Sequence, residues 1–217
     1  MKIKGVIFDF NGTLVFDTHL HNQAWDFFLT KHSQKLSETE KNRKIHGKNN
    51  VEILSELFQN ELTADEVAGL SKDKENIYQS LFLKEKLGLA PGAEDFIKFL
   101  LLNEISDTIA TASDLYNLEF YFHHLRLERY FEKSKVVFSE GTIKSKPNPE
   151  IFLKAMDILK INKDQTLIFE DSIAGIVAAE NSEAKKIVVV KSISNELIQQ
   201  RHEVIEDFTQ VNRSLFR

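Results

Sequence analysis

Four short polar clusters follow apolar runs along the chain, and each holds side chains able to act on an anion. They are Asp9-Phe-Asn-Gly-Thr-Leu, Thr111-Ala-Ser-Asp, Ser145-Lys-Pro-Asn-Pro-Glu and Glu170-Asp-Ser-Ile-Ala-Gly. Asp9, Glu170 and Asp171 form a hard oxygen set suited to Mg²⁺, which prefers oxygen ligands and keeps several waters. Lys146 adds a positive charge and Thr111 a hydroxyl, both useful to an anionic oxygen that has lost its water. Singly, each residue has a plainer reading. Asp9 suits a turn, Thr111 or Ser113 a satisfied hydroxyl, Lys146 a solvated surface, and Asp171 or Ser172 a helix cap. Their ordered arrival after successive apolar runs makes one site the better account, and that site would bind a phosphoryl group.

Open α/β sheets gather ligands at the carboxyl ends of their strands, so strands must carry these clusters. Runs at Ile3–Phe8, Thr108–Ala112, Lys135–Phe138, Thr166–Phe169 and Lys186–Val190 are apolar without alternation, as strands are when helices cover both faces of a sheet. Helical patterns at Asn117–Leu127, Pro149–Leu159 and Ala174–Asn181 separate the last four. The alternation predicts an α/β fold with a doubly wound parallel, Rossmann-like sheet. Residues 17–88 differ: they contain no strand run, and Leu20, Ala24, Phe27 and Phe28 fall at helical spacing. Further helices are expected at Val51–Phe58, from Leu62 with Thr63 and Glu66 as a capping box, and over Lys72–Leu83. After the turn residues of Leu87-Gly-Leu-Ala-Pro-Gly-Ala, the helix Ala93–Leu102 leads back to the sheet. The expected division is a core of residues 1–16 and 89–217 with an inserted helical cap of residues 17–88.

The composition narrows the chemistry. With 217 residues, 42% hydrophobic and 28% charged, the chain can bury its own core. Zero Cys removes disulfides, thiolate metal sites and a cysteine nucleophile, and is compatible with a reducing compartment. A net charge of −5 offers no broad field for nucleic acid or anionic lipid. The apolar run from Gly5 to Phe8 is too short for a signal-peptide core, and no stretch approaches the roughly 20 apolar residues of a spanning helix. The expectation is a cytoplasmic protein with a small-molecule partner, monomeric or weakly dimeric.

The segments FDFNGTL, IATAS, KPNPEIF and FEDSIAG resemble the four ordered motifs of the haloacid dehalogenase-like (HAD) phosphohydrolases, nearest to the β-phosphoglucomutase-like branch. The resemblance spans nearly the whole chain. It implies a helical cap between the first and second motifs, and Asp9 as a nucleophile that forms an aspartyl-phosphate which water then hydrolyses. It further implies Mg²⁺ held by Asp9, the main-chain carbonyl of Asn11 and Asp171, with Glu170 ligating or supporting through water. Thr111 and the Ala112 amide would take phosphoryl oxygens, while Lys146 would neutralise charge on Asp9 and on the phosphoryl group.

Two positions depart from the pattern. Where the family's phosphatases and mutases place a second Asp as general acid and base, this chain has Asn11, which cannot exchange a proton at neutral pH; a factor on the order of 10²–10⁴ is at stake. A variant of reduced or redirected activity, an engineered trap, and a substrate whose leaving group needs little protonation all fit. Within His46-Gly-Lys-Asn-Asn-Val-Glu, which resembles the family's specificity loop, Asn50 stands where β-phosphoglucomutase has an Arg for the distal phosphate. Lys48 and Lys74 are candidates to replace that charge or are solvated, and His21 is either a site histidine near the hinge or an ordinary helix-face residue. The expected function is Mg²⁺-dependent hydrolysis of a small phosphorylated metabolite. The alternatives are a phosphosugar mutase, a dehalogenase or phosphonate hydrolase, and a silent phospho-ligand sensor.

Overall fold

A computed structural model describes residues 2–59, 62–139, 143–191 and 196–216. Its centre is a parallel sheet of β1 (Gly5–Phe8), β2 (Ser106–Ile109), β3 (Thr166–Glu170), β4 (Lys186–Val190) and β5 (Glu203–Ile205), in the spatial order β2-β1-β3-β4-β5. Every residue of β1 and β3 is buried, which is why neither shows alternation. Successive side chains of a strand point to opposite faces, and each face has its own cover. Val6 and Phe8 join Phe96 of α5 (Ala93–Leu102) and Phe208 on one side, with Phe8 stacked on Phe169 at 5.4 Å between ring centroids. Ile7 and Ile168 pack on the other side with Phe152 of α7 (Glu150–Leu159) and Ala178 of α8 (Ile173–Asn181). The α/β doubly wound architecture is as expected.

Four helices stand between β1 and α5: α1 (Thr18–Lys31), α2 (Glu38–Lys44), α3 (Asn50–Leu57) and α4 (Ala64–Glu85). They form the inserted helical cap, with its own core around Trp25, Phe28, Ile53 and Leu54. Thr63 and Glu66 do make the capping box that starts α4, but that helix runs unbroken for 22 residues where two shorter helices were expected. Val67, Ser71, Lys74 and Tyr78 are buried along it, so one continuous inner face carries the helix past Gly69.

One expected strand is absent. Lys133–Lys135 is a single 3₁₀ turn, and of Lys135–Phe138 only Val137 reaches the sheet edge, through one parallel bridge to Ala110. The Val137 amide donates to the Ile109 carbonyl at 2.9 Å, and the Thr111 amide donates to the Val137 carbonyl at 2.9 Å. Two bonds around one residue satisfy the edge of β2 without extending the ladder. Conversely, β5 and α2 had not been expected. The helix expected over Asn117–Leu127 is present as α6 (Leu115–Leu125), which begins with the Asp114 carboxylate accepting from the Asn117 amide. Among the described residues, no helix is long and apolar enough to cross a membrane.

Candidate active site

The carboxyl ends of β1, β2 and β3 open into a cavity of about 120 Å³ roofed by the helical cap. Asp9, Asn11, Thr111, Ala112, Lys146, Glu170 and Asp171 line it from the sheet side, and His21, Lys48 and Lys74 from the cap side. Every sequence-predicted site residue is therefore brought to one place. The cap is held down by a clasp at the mouth: the Asn49 amide and its Nδ2 donate to Ser145 Oγ at 3.0 and 2.9 Å, and the Ser145 amide donates to Glu52 Oε1 at 3.1 Å.

Asp9 lies one residue beyond β1, in a turn that needs Gly12. That glycine has φ +82°, and a Cβ there would sit 2.0 Å from Asp171 Oδ2, so backbone and carboxylate approach only because the side chain is missing. Lys146 donates to Asp9 Oδ1 at 2.5 Å and to Glu170 Oε1 at 2.5 Å while itself 3% exposed. Burial works against the lysine's charge, but Asp9 and Glu170 outweigh it and hold its pKa above the ordinary value. Burial pushes Asp9 up, partly offset by the Lys146 ammonium and reinforced by Glu170. Burial and then the charges of Glu170 and Asp9 drive Asp171 well above the usual carboxylate range.

Burial acts first on all three groups, and the charges they exert on one another follow, with three carboxylates around one lysine. Ligand oxygens of Asp9, Glu170 and Asp171 lie within 4.8 Å of one another, and the hydrogen bond to Asp171 from Thr13 Oγ1 is long, at 3.4 Å. An all-oxygen set with excess negative charge and no soft ligand fits a hard divalent cation. Asp171→Ala is expected to lose Mg²⁺ binding, read by calorimetric titration; unchanged affinity would remove Asp171 from the set.

The groups expected from the sequence to face a phosphoryl group, Thr111 and Ala112, follow the end of β2. Thr111 is buried, and its Oγ1 accepts the Ser113 amide at 3.1 Å, which leaves its own proton to donate. Lys146 lines the same cavity, so an anion there would meet a hydroxyl and a desolvated ammonium, and charge-assisted bonds of this kind are the strong ones. Lys146→Ala, assayed with Mg²⁺ present, is expected to weaken binding of phosphate or a trigonal fluoride analogue by at least about 1 kcal/mol. Equal inhibition constants for the two proteins would refute it.

Asn11 is held on three sides. Its Nδ2 donates to Asp17 Oδ2 at 2.7 Å and to Tyr121 Oη at 2.9 Å, and its Oδ1 accepts from Ser113 Oγ at 2.8 Å. Asp17, fully buried, also accepts from Tyr78 Oη at 2.5 Å and from the Gly12 amide at 3.0 Å; burial pushes its pKa up to about 6. Sequence reasoning missed Asp17, Tyr78 and Tyr121. An aspartate just before the first cap helix was a usable signal, but its tyrosine partners come from α4 and α6.

On the cap side, Lys74 is 1% exposed and not a solvated charge. Its Nζ donates to His21 Nδ1 at 3.0 Å and to Glu75 Oε1 at 2.9 Å. Burial and the Lys74 charge lower the His21 pKa well below normal, so the ring is neutral, and its Nε2 lies 3.7 Å from Asp17 Oδ2 without a hydrogen-bond partner. Lys48 reaches the cavity wall, but its ammonium pairs with Glu56 at 3.0 Å.

Residues 3–183 match the family model of haloacid dehalogenase-like hydrolases. The chain belongs to that family. Among HAD relatives, it is 27% identical to the phosphorylated carbohydrates phosphatase of Thermotoga maritima over 89% of this chain and 88% of that one. It is 26% identical to the chloroplastic 5-amino-6-(5-phospho-D-ribitylamino)uracil phosphatase of Arabidopsis thaliana, over 85% of this chain but 49% of that longer protein. In structure, a HAD hydrolase of family IA, variant 3, from Entamoeba histolytica superposes with a TM-score of 0.85 at 30% identity, covering 99% of this chain and 97% of that one. The HAD fold thus accounts for both the sheet and the inserted helical cap.

Proposed function

We propose that this HAD hydrolase cleaves small phosphate monoesters with Mg²⁺ as cofactor and Asp9 as nucleophile. The observation that carries the reading is the placement of Asp9, buried at the floor of a capped cavity, hydrogen-bonded to Lys146 and beside a carboxylate set that fits a hard cation. In the first half-reaction an Asp9 oxygen attacks phosphorus, the bond from phosphorus to the ester oxygen breaks, and the alcohol leaves with a proton from the medium. In the second, water attacks the aspartyl-phosphate, releasing inorganic phosphate and the free carboxylate. Mg²⁺, held by Asp9, Asp171 and the Asn11 carbonyl with Glu170 in support, would neutralise charge on the phosphoryl group.

Thr111 and the Ala112 amide orient the phosphoryl oxygens in this reading, and Lys146 offsets their charge. The helices of residues 17–88 act as a cap that excludes bulk water over a core of residues 1–16 and 89–217. The named phosphatases among the relatives support a phosphorylated metabolite as substrate. A cytoplasmic location and a monomeric or weakly dimeric state belong to the same proposal.

The test is a screen of aryl, sugar and nucleotide monophosphates with Mg²⁺. Turnover that stops on chelation is expected, and its absence on every substrate would overturn the reading. One observation favours a second reading, a sensor that binds phospho-ligands without turnover: the proton-transfer position is a neutral amide fixed by three hydrogen bonds. Binding of sugar phosphates without any release of phosphate would select it.

A further inference from the structure

Glu75 is 3% exposed at the cap end of the cavity. Its Oε1 accepts from Lys74 Nζ at 2.9 Å and from Asn50 Nδ2 at 2.6 Å, and its Oε2 accepts from Asn117 Nδ2 at 2.6 Å. The Lys74 ammonium is therefore compensated where it stands. The other basic groups of this wall are spent or neutral. Lys48 is paired with Glu56, and His21 lies well below its ordinary pKa. Burial also lowers His46, whose ring nitrogen bonds Asn22 at 2.9 Å. A further carboxylate, Asp114, sits behind Glu75; burial and the Glu75 charge raise its pKa.

The two ends of the cavity thus differ in what they can hold. The sheet end has Lys146 and the cation-fitting carboxylates for one phosphoryl group. The cap end has an amide, imidazoles, and the apolar faces of Trp25 and Ile53, but no uncompensated positive charge. A dianion placed there would lose its water without gaining a counter-charge, and would stand beside a buried carboxylate. An uncharged hydroxyl would meet groups that can hydrogen-bond it.

We propose that Glu75 is the specificity-determining residue of this cavity: by compensating Lys74 it restricts the substrate to monophosphates with an uncharged, hydroxyl-bearing remainder and rejects a second phosphate. The inference rests on the phosphatase reading for the chemistry at Asp9 but concerns the opposite end of the ligand. Discrimination here comes from a repulsive element as well as from attractive contacts.

The experiment compares fructose 1-phosphate with fructose 1,6-bisphosphate as competitors of p-nitrophenyl phosphate turnover, and as ligands in calorimetry with Mg²⁺ present. The native protein is expected to bind the bisphosphate at least about tenfold more weakly, the effect of one partly screened charge. Glu75→Gln keeps the side chain's shape and frees the Lys74 charge. It should narrow that gap by about tenfold, through the bisphosphate alone. Asp114→Asn keeps a competent helix cap and should move the ratio the same way by less, so a folding failure of the first variant leaves the second to decide. Equal or tighter bisphosphate binding by the native protein, no binding of fructose 1-phosphate, or a ratio unmoved in both variants would overturn the proposal. Loss of the phosphatase reading would show differently, as absent p-nitrophenyl phosphate turnover with the calorimetric ratio intact.

Discussion

Asn11→Asp is expected to raise the turnover of alkyl phosphates by roughly 10²-fold or more and that of aryl phosphates by less. An alkyl ester expels a basic alkoxide that needs a proton, whereas an aryl ester expels a weakly basic phenolate that scarcely does. The amide at position 11 cannot supply that proton, and its three hydrogen bonds leave it no freedom to bring in a substitute. The structure also shows why an aspartate would be protonated when needed. Its carboxyl would lie against Asp17, at the place where Asn11 Nδ2 is now 2.7 Å from Asp17 Oδ2. Two carboxylates that close cannot both ionise, so the pair keeps a proton near neutrality. Measuring kcat/KM for glycerol phosphate and p-nitrophenyl phosphate on both proteins decides the matter. Equal gains, or none, would show that position 11 is not the proton-transfer site and would turn attention to His21.

Asp9→Asn is expected to have the largest effect of all, lowering kcat on aryl and alkyl esters alike by about 10⁴-fold or more, since no other group takes over the bond to phosphorus. The fold should survive. The new amide oxygen can still accept from Lys146, and burial already disfavours the Asp9 charge in the metal-free protein. Thermal denaturation with chelator present should place the variant within about 5 °C of the native Tm. A Tm that collapses along with activity would mean that Asp9 serves the fold, and retained turnover would mean that the nucleophile lies elsewhere.

Legibility in the sequence followed the range of the interactions. The helix Ala93–Leu102 and the strands β3 and β4 were readable because local apolar patterning defines them, and the Thr63–Glu66 capping box because it closes within one turn. The helix α2 carried a similar signal in Ser37 and Glu40, which form a capping box, but its polar stretch has no apolar face to reveal a period. The strand β5 is three residues long, too short for any pattern. Lys135–Phe138 misled because β-branched residues beside an edge strand look like a strand, whereas one bridging residue sufficed.

At the site, three clusters named sheet-side residues because each lies next to the end of β1, β2 or β3, while Ser145–Glu150 follows no strand among the described residues and leads into α7. What could not be read was the layer behind them. Tyr78 reaches Asp17 across 61 positions and Tyr121 reaches Asn11 across 110. Glu75 likewise meets Asn117 from another helix, 42 positions away. No local pattern reports such pairings; only the packing of α4 and α6 against the cavity brings them together.

In the proposed mechanism, Asp9 carries the phosphoryl group between two half-reactions. Rapid quenching in acid after mixing with p-nitrophenyl phosphate and Mg²⁺, followed by peptide mass analysis, tests it directly. With no carboxylate at position 11 to activate water, the intermediate should form from this activated donor and decay slowly. One phosphoryl group is expected on the peptide containing Asp9, released by hydroxylamine and absent from Asp9→Asn. Turnover without that label, or a label on any other residue, would contradict it.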